Sequence, residues 1–451
     1  MVITAIYERN GNRPLFPNLH FLAWQRSTFD SPKGLTVMNP MVLASDTKLL
    51  KMLLTPTITA VAFWHPVMKP NGDYAFKASW ASTEGKGEDI RVVMATCPRI
   101  KSVLLQSDFA MQSLTTFSQY TQLDTIVSHS NIPISVFRSL GDLPSLTTLA
   151  ASVVSIDLFH TLFMPEMTPE PLPIRTLFPA LKQLTLTSLL HLVPGVLSCI
   201  RSSAVHSLNT RSRVYHTVPH DQILDTFKTL QNTPFAHSLQ TLHVSLAFDP
   251  PRRDADSVVF RAVFGPLFEL AHLKTLTVHT HERTLLITSS DLDEMALSWP
   301  NLVTLGLTCR FDTDVPRRVV DQPTIHALVA LAVRCERLKL LYCDAVDVTK
   351  EDVARFAEQA DRGVLGSQQQ LTGFVPARVR GWSGLSPEDT ARLAVAVQKV
   401  FPNVEGGRAL QRVGELREEL RERRWDVRSA PRVCQFLQAL DIIQAGRRKT
   451  G

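Results

Sequence analysis

The chain has 451 residues, 44% hydrophobic and 20% charged, with a formal net charge of +6, a balance that excludes disordered and fibrous classes. No apolar run reaches the roughly 18 residues of a membrane span, and Met1–Asn10 lacks the basic-then-apolar layout of a secretory leader, so a cytoplasmic or nuclear protein is expected. Six scattered cysteines without a Cys-x-x-Cys pair argue against a disulfide framework or a structural zinc site.

In chain order, one short phrase recurs. It reads Phe16-Pro17-Asn18-Leu19, Cys97-Pro98-Arg99-Ile100, Leu143-Pro144-Ser145-Leu146, Phe178-Pro179-Ala180-Leu181, Trp299-Pro300-Asn301-Leu302 and Phe401-Pro402-Asn403-Val404. A second phrase, aliphatic-x-x-aliphatic-x-apolar, comes directly after most of these, as in Leu181-Leu184-Leu186 and Leu302-Leu305-Leu307. It also stands without the proline at Ile58, Leu239, Leu273 and Leu338, with weaker copies at Leu123, Val205 and Leu371. Its alternating end is strand periodicity with one buried face, and the proline before it stops a helix and turns the chain into the strand. Between strands lie helical spacings with start signals: Ser290 to Asp293 and Thr349 to Asp352 read as capping boxes. Ser386-Pro387-Glu388-Asp389 adds proline at the first helical position. Trp64 to Gly87 and Asp249 to Asp254 carry no repeat phrase and are expected to be loops.

The unit is therefore helix, turn and short strand, repeated. Burying three aliphatic side chains per strand contributes on the order of 2 kcal/mol apiece, whereas ordering each residue costs roughly 1 kcal/mol or more. A single repeat cannot stand alone, so stacking is required. The predicted fold is an α/β leucine-rich-repeat solenoid with long, irregular helix–strand repeats and a parallel sheet lining the concave face. The expected boundaries are an N-terminal stub over 1–14, the solenoid over 15–407 and a basic helical tail over 408–451. From Arg408 onward there are eleven Lys/Arg against six Asp/Glu, so nearly all the excess charge lies in that tail. Its apolar residues, among them Leu410, Leu420, Trp425, Phe436 and Leu440, are expected to form either a cap on the last repeat or a docking helix.

The lead-ins and the stretch Ser386 to Asn403 resemble the leucine-rich-repeat region of fungal F-box proteins of the basidiomycete type, over roughly Leu15 to Gly406. That resemblance implies the target-holding part of a ubiquitin-ligase substrate receptor of the Skp–cullin–F-box type. A Skp-family adaptor and a cullin are implied as partners only where an N-terminal F-box exists, and none is visible before Phe16. The alternative is a stand-alone interaction scaffold unrelated to ubiquitin.

In such a solenoid the strand residues between the buried aliphatics face the concave surface. Here they are Gln183, Thr185, Thr241, His243, Thr275, Thr277, His279, Thr304, Tyr342 and Asp344. This polar, threonine-rich band is expected to meet a protein partner, with Tyr342 as an aromatic anchor. His279-Thr280-His281 places two histidines on one strand face without a third ligand at metal-site spacing, and Gly381-Trp382-Ser383-Gly384 is half a nucleophile elbow. No phosphate loop, dinucleotide fingerprint or zinc-protease motif is present. Catalysis, cofactors and metals are thus not expected, and neither is a membrane or nucleic-acid partner.

Overall fold

The computed structural model describes residues 9–11, 13–25, 50, 53–64, 92–93, 95–105, 120–132, 134–153, 177–214, 220–248, 258–281, 285–310, 323–343, 346–376, 379–380, 385–407 and 431–450. Contacts within the chain divide it into two compact units, Met1–Val205 and His206–Gly451. The two expected loops and the Gly381 motif lie outside the described residues, apart from Trp64 at a strand end.

In the first unit six parallel strands succeed one another in chain order: β1 (Phe21–Gln25), β2 (Ala60–Trp64), β3 (Ser102–Leu105), β4 (Thr125–Ile132), β5 (Thr148–Val153) and β6 (Gln183–Leu189). The second unit repeats the pattern with β7 (Ser207–Val214), β8 (Thr241–Phe248), β9 (Thr275–His281), β10 (Thr304–Arg310), β11 (Leu340–Cys343) and β12 (Gly373–Pro376). Such in-order parallel pairing, one strand per repeat, is the leucine-rich-repeat architecture.

Every one of these strands begins two residues after the first aliphatic of its phrase. That residue is fully buried in the turn, as at Leu181, Leu273 and Leu302, except that Leu19 is half-buried. The second and third aliphatics then occupy the core face of the strand, as Leu184 and Leu186 or Leu276 and Val278 do. A repeating backbone contact fixes the register within each unit: two successive amides at a strand entry converge on one carbonyl of the preceding repeat. Lys274 and Thr275 donate to Gln240 at 2.7 and 2.9 Å, and Val303 and Thr304 donate to Lys274 at 2.7 and 3.0 Å. Lys101 and Ser102 do the same to Thr59 in the first unit, at 2.8 and 3.1 Å. The weak copies at Leu123 and Leu371 enter their strands by this contact. At Val404 no strand begins among the described residues, although the Glu405 amide still reaches the Thr372 carbonyl at 3.1 Å.

Helices close the units: α1 (Ile134–Gly141) and α2 (Val193–Cys199) in the first, and α3 (His220–Gln231), α4 (Phe260–Phe264), α5 (Ser289–Ser298), α6 (Ile325–Arg334), α7 (Lys350–Asp361), α8 (Pro387–Val400) and α9 (Pro431–Thr450) in the second. The residue preceding each lead-in proline is buried at Cys97, Leu143, Phe178, Trp299 and Phe401, while Phe16 is exposed. Side chains at the turns also tie repeat to repeat. Trp299 Nε1 donates to the Leu267 carbonyl at 3.2 Å, and Gln368 Nε2 donates to the Leu338 carbonyl at 2.9 Å.

The capping boxes at Thr349/Asp352 and Ser386/Asp389 form as the sequence predicts. The box expected at Ser290/Asp293 lies two residues earlier. Thr288 caps α5 and accepts from the Asp291 amide at 3.2 Å, while Asp291 accepts from the Thr288 amide at 2.7 Å. The earlier register wins because it turns Leu292, Met295 and Ala296 into the core.

Candidate recognition face

The strand face turned away from the core is organised as in-register rows, because adjacent parallel strands place equivalent residues side by side. In the first unit one row runs Ser102, Thr125, Thr148, Gln183 and the next runs Ala62, Leu104, Val127, Ala150, Thr185. Gln183 and Thr187 are exposed; Leu104, Val127, Ala150 and Thr185 are half-buried. The aliphatic row escapes sequence reading because the L-x-x-L-x-L phrase assigns its leucines to the core and says nothing of the residues between them.

In the second unit the rows are Ser207, Thr241, Thr275, Thr304, Leu340, Gly373, then Asn209, His243, Thr277, Gly306, Tyr342, Val375, then Arg211, Ser245, His279, Thr308. Thr241, His243, Thr275 and Thr304 are half-buried, as are Asn209 and Arg211. Asn209 and Arg211 are absent from the sequence-based set because the Val205 copy is degenerate. It fills core positions with Thr210 and Ser212, whose hydroxyls bond each other at 3.3 Å.

Burial rises toward the middle of the face. Thr277, His279, Thr308 and Tyr342 are all nearly fully enclosed, and the side chain of Tyr342 is only 1% exposed. The tyrosine expected at the surface is therefore packed within the protein, beside Gly306 and Val375 in its row. Asp344 lies outside the described residues.

Two histidine–threonine pairs sit on this face in the same relation, one strand apart. His279 Nδ1 is hydrogen-bonded to Thr308 Oγ1. The equivalent pair, His243 and Thr277, makes no such bond: His243 Nδ1 and Thr277 Oγ1 are buried without a hydrogen-bond partner, and so is the neighbouring Asn209 Oδ1. Leaving a buried polar atom unsatisfied costs about 1–3 kcal/mol, so three in one row require a reason. Burial also holds the His243 imidazole down at a pKa of about 4, leaving it neutral at physiological pH. Beside Thr277, a Cβ placed on Gly306 would meet the threonine methyl at 3.2 Å, a tight contact that the threonine side chain would have to relieve by a few tenths of an ångström.

The arrangement can donate and accept hydrogen bonds. Among the described residues no group of three or more His, Cys, Asp or Glu side chains is placed to hold a metal, and no helix there is long and apolar enough to cross a membrane.

No family model and no curated protein matches the chain in sequence. Among solved structures it is similar to the yeast Rad7 and Elc1 complex, at 14% identity and a TM-score of 0.36 over 80% of this chain and 71% of that one. It is likewise similar to the leucine-rich-repeat protein LegL7 of Legionella pneumophila, at 12% identity and a TM-score of 0.36 over 84% and 97% of the two chains.

Proposed function

We propose that the chain is a protein-recognition solenoid that works by holding a target protein on the strand face opposite its core, without catalysing a reaction. One observation carries this reading. In the first unit that face presents a half-exposed aliphatic row, Leu104, Val127 and Ala150, bordered by threonines and Gln183, with no charged residue at its described strand positions from β3 to β6. Aliphatic centres edged with hydrogen-bonding groups are the pattern of protein interfaces. Thr185, Thr241, Thr275, Thr304 and His243 are then the contact residues, with Gln183 at the exposed border. Photo-crosslinking in cells tests the proposal. A crosslinker at position 185 is expected to capture a discrete protein, whereas one at Leu297 on α5 is expected to capture none. Equal capture from both positions overturns it.

The narrower reading makes this the target-holding part of an F-box-type ubiquitin-ligase receptor. Its support is the resemblance of the proline lead-ins and of Ser386 to Asn403 to the repeats of fungal F-box proteins. Immunoprecipitation of the protein expressed from its own locus decides it. Co-recovery of a Skp-family adaptor and a cullin supports the receptor. A target recovered without them supports the stand-alone scaffold.

A further inference from the structure

In the first unit the two amides at the entries of β2 to β6 each converge on a carbonyl of the preceding repeat, as Thr59 and Ala60 do on His20 at 2.9 and 3.1 Å. β1 is the end strand of the sheet, so the corresponding pair, His20 and Phe21, meets no such carbonyl among the described residues. The turn before it is formed as in the other repeats. The Leu19 amide donates to the Phe16 carbonyl at 3.1 Å, as Ile58 does to Thr55 at 3.2 Å. The donor pair is thus held in the geometry that elsewhere receives a neighbouring strand. The side chains repeat this pattern. Phe16 is 56% exposed, whereas Cys97, Leu143, Phe178, Trp299 and Phe401 are fully buried at the same place in their repeats. Leu19 is half-buried, while Ile58, Ile100, Leu123 and Leu146 are fully enclosed. Elsewhere the preceding repeat supplies the cover: Phe178 packs on Phe137 of α1 with ring centroids 4.8 Å apart, and Trp299 on Phe268 at 5.2 Å. Phe21 is also exposed, and Phe21–Gln25 holds none of the charges or prolines that usually blunt a sheet edge.

We propose that β1 is a docking edge, to which an extended apolar segment of another polypeptide adds as a parallel strand. One backbone carbonyl of that segment is received by the His20 and Phe21 amides, and its aliphatic or aromatic side chains cover Phe16 and Leu19. A parallel strand is favoured because two successive amides on one carbonyl is the parallel entry contact of every neighbouring repeat in the unit. A second copy of the chain does not offer that carbonyl from its last repeat, since Thr372 already accepts from the Glu405 amide at 3.1 Å. Strand starts in this chain lie at least 23 residues apart, as from Ser102 to Thr125. A strand placed in the same way is therefore not drawn from the residues between Met1 and Phe21. The inference concerns the edge of the sheet rather than its face, and it stands whether or not a target is held on that face.

Fluorescence anisotropy and hydrogen exchange on the full chain test this. The probe is a fluorescein-labelled peptide copying residues 180–189, one of the chain's own repeat strands, and its control carries serine in place of Leu184 and Leu186. The probe is expected to bind about tenfold or more tighter than the control. It is also expected to slow exchange across residues 16–25 and to leave 275–281 unchanged. Amides alternate in direction along a strand, so that of Ala23 points to the open side of β1. Ala23→Pro removes this donor without breaking a bond to β2 and is expected to abolish binding, while Phe16→Ser weakens it about tenfold. Val395→Ser on α8 retains it. Thermal melts identify a variant that loses its fold; the other then decides. Equal affinity for the two peptides, unchanged exchange at 16–25 or full binding by Ala23→Pro overturns the proposal. So does a two-chain mass that Ala23→Pro reduces to one, which assigns the edge to a second copy. Slowing that appears only once residues 1–8 are removed assigns it to the chain's own start and overturns the proposal as well.

Discussion

His243 links the site to stability through pH. Its imidazole ordinarily titrates at 6.5 and is held at about 4 by burial, so between those values the unfolded chain binds a proton that the folded chain does not. Stability from this residue is therefore complete above about pH 6.5 and is lost as pH falls toward 4. The loss is on the order of 2 kcal/mol once partial exposure is discounted. His326 is shifted in the same direction, also chiefly by burial. Urea denaturation of the native chain and of His243→Gln across pH 4–7 is expected to show a shallower slope in the variant. Burial likewise raises the Cys97 and Cys335 thiols to about 11, and Cys97 donates to the Thr55 carbonyl at 3.3 Å. Both are expected to resist iodoacetamide until the protein unfolds, while the half-buried Cys199 reacts before either of them. At this scale the sequence shows which residues alternate on a strand and not how deeply each is enclosed. His279 and Thr304 read alike as outward positions, yet one is buried and the other half-open. The difference comes from the enclosure of neighbouring side chains, which periodicity does not encode.

At the scale of elements, local chemistry is more legible because a cap or a strand entry is decided within a few residues. Ser386 accepts from the Asp389 amide at 3.1 Å, and its own amide donates back to Asp389 at 3.1 Å. Ser386→Ala is expected to lower stability by about 1 kcal/mol, read as a shift in the denaturation midpoint, with the fold kept. The two-residue offset of the α5 cap has the same origin. Both Thr288-x-x-Asp291 and Ser290-x-x-Asp293 satisfy the motif, and only tertiary burial of Leu292 and Met295 separates them. The contact between the last repeat and α9 is not legible in the sequence, since residues remote from one another along the chain make it. Phe436, Leu437 and Leu440 are buried there, and the Gly407 amide donates to the Asp441 carboxylate at 3.0 and 3.1 Å. Gly406 lies against α9 so closely that a Cβ would stand 2.2 Å from the Leu437 carbonyl oxygen. Gly406→Ala must therefore displace the helix. Hydrogen exchange is expected to rise across 431–450 in that variant and to stay unchanged in β7 and β8.

At the scale of the whole chain, the repeat is the most legible feature. Twelve phrase positions found in the sequence each precede a strand by two residues, even where the phrase is degenerate, because the carbonyl contact that recurs within each unit needs only backbone. The thirteenth, at Val404, is diverted by its downstream neighbours. The Glu405 amide makes the contact, but Gly406 and Gly407 turn helical and α9 takes the position beside α8, with Arg447 donating to the Gln398 carbonyl at 3.2 Å and Phe436 6.4 Å from Phe374. We propose that α9 covers the end of the stack, the tail's expected role as a cap. In a stack whose repeats contact only their neighbours, loss of a cover acts first on the adjoining repeat and fades with distance. Removing all residues after Gly407 uncovers Phe374 and the Val397–Phe401 edge. It is expected to lower the melting temperature and to raise hydrogen exchange most in β12 and α8, less in β11, and little in β7. A uniform collapse of protection across the second unit would mean that α9 is part of its nucleus rather than a cover. Unchanged protection in β12 would leave α9 free to serve as a docking helix for a partner.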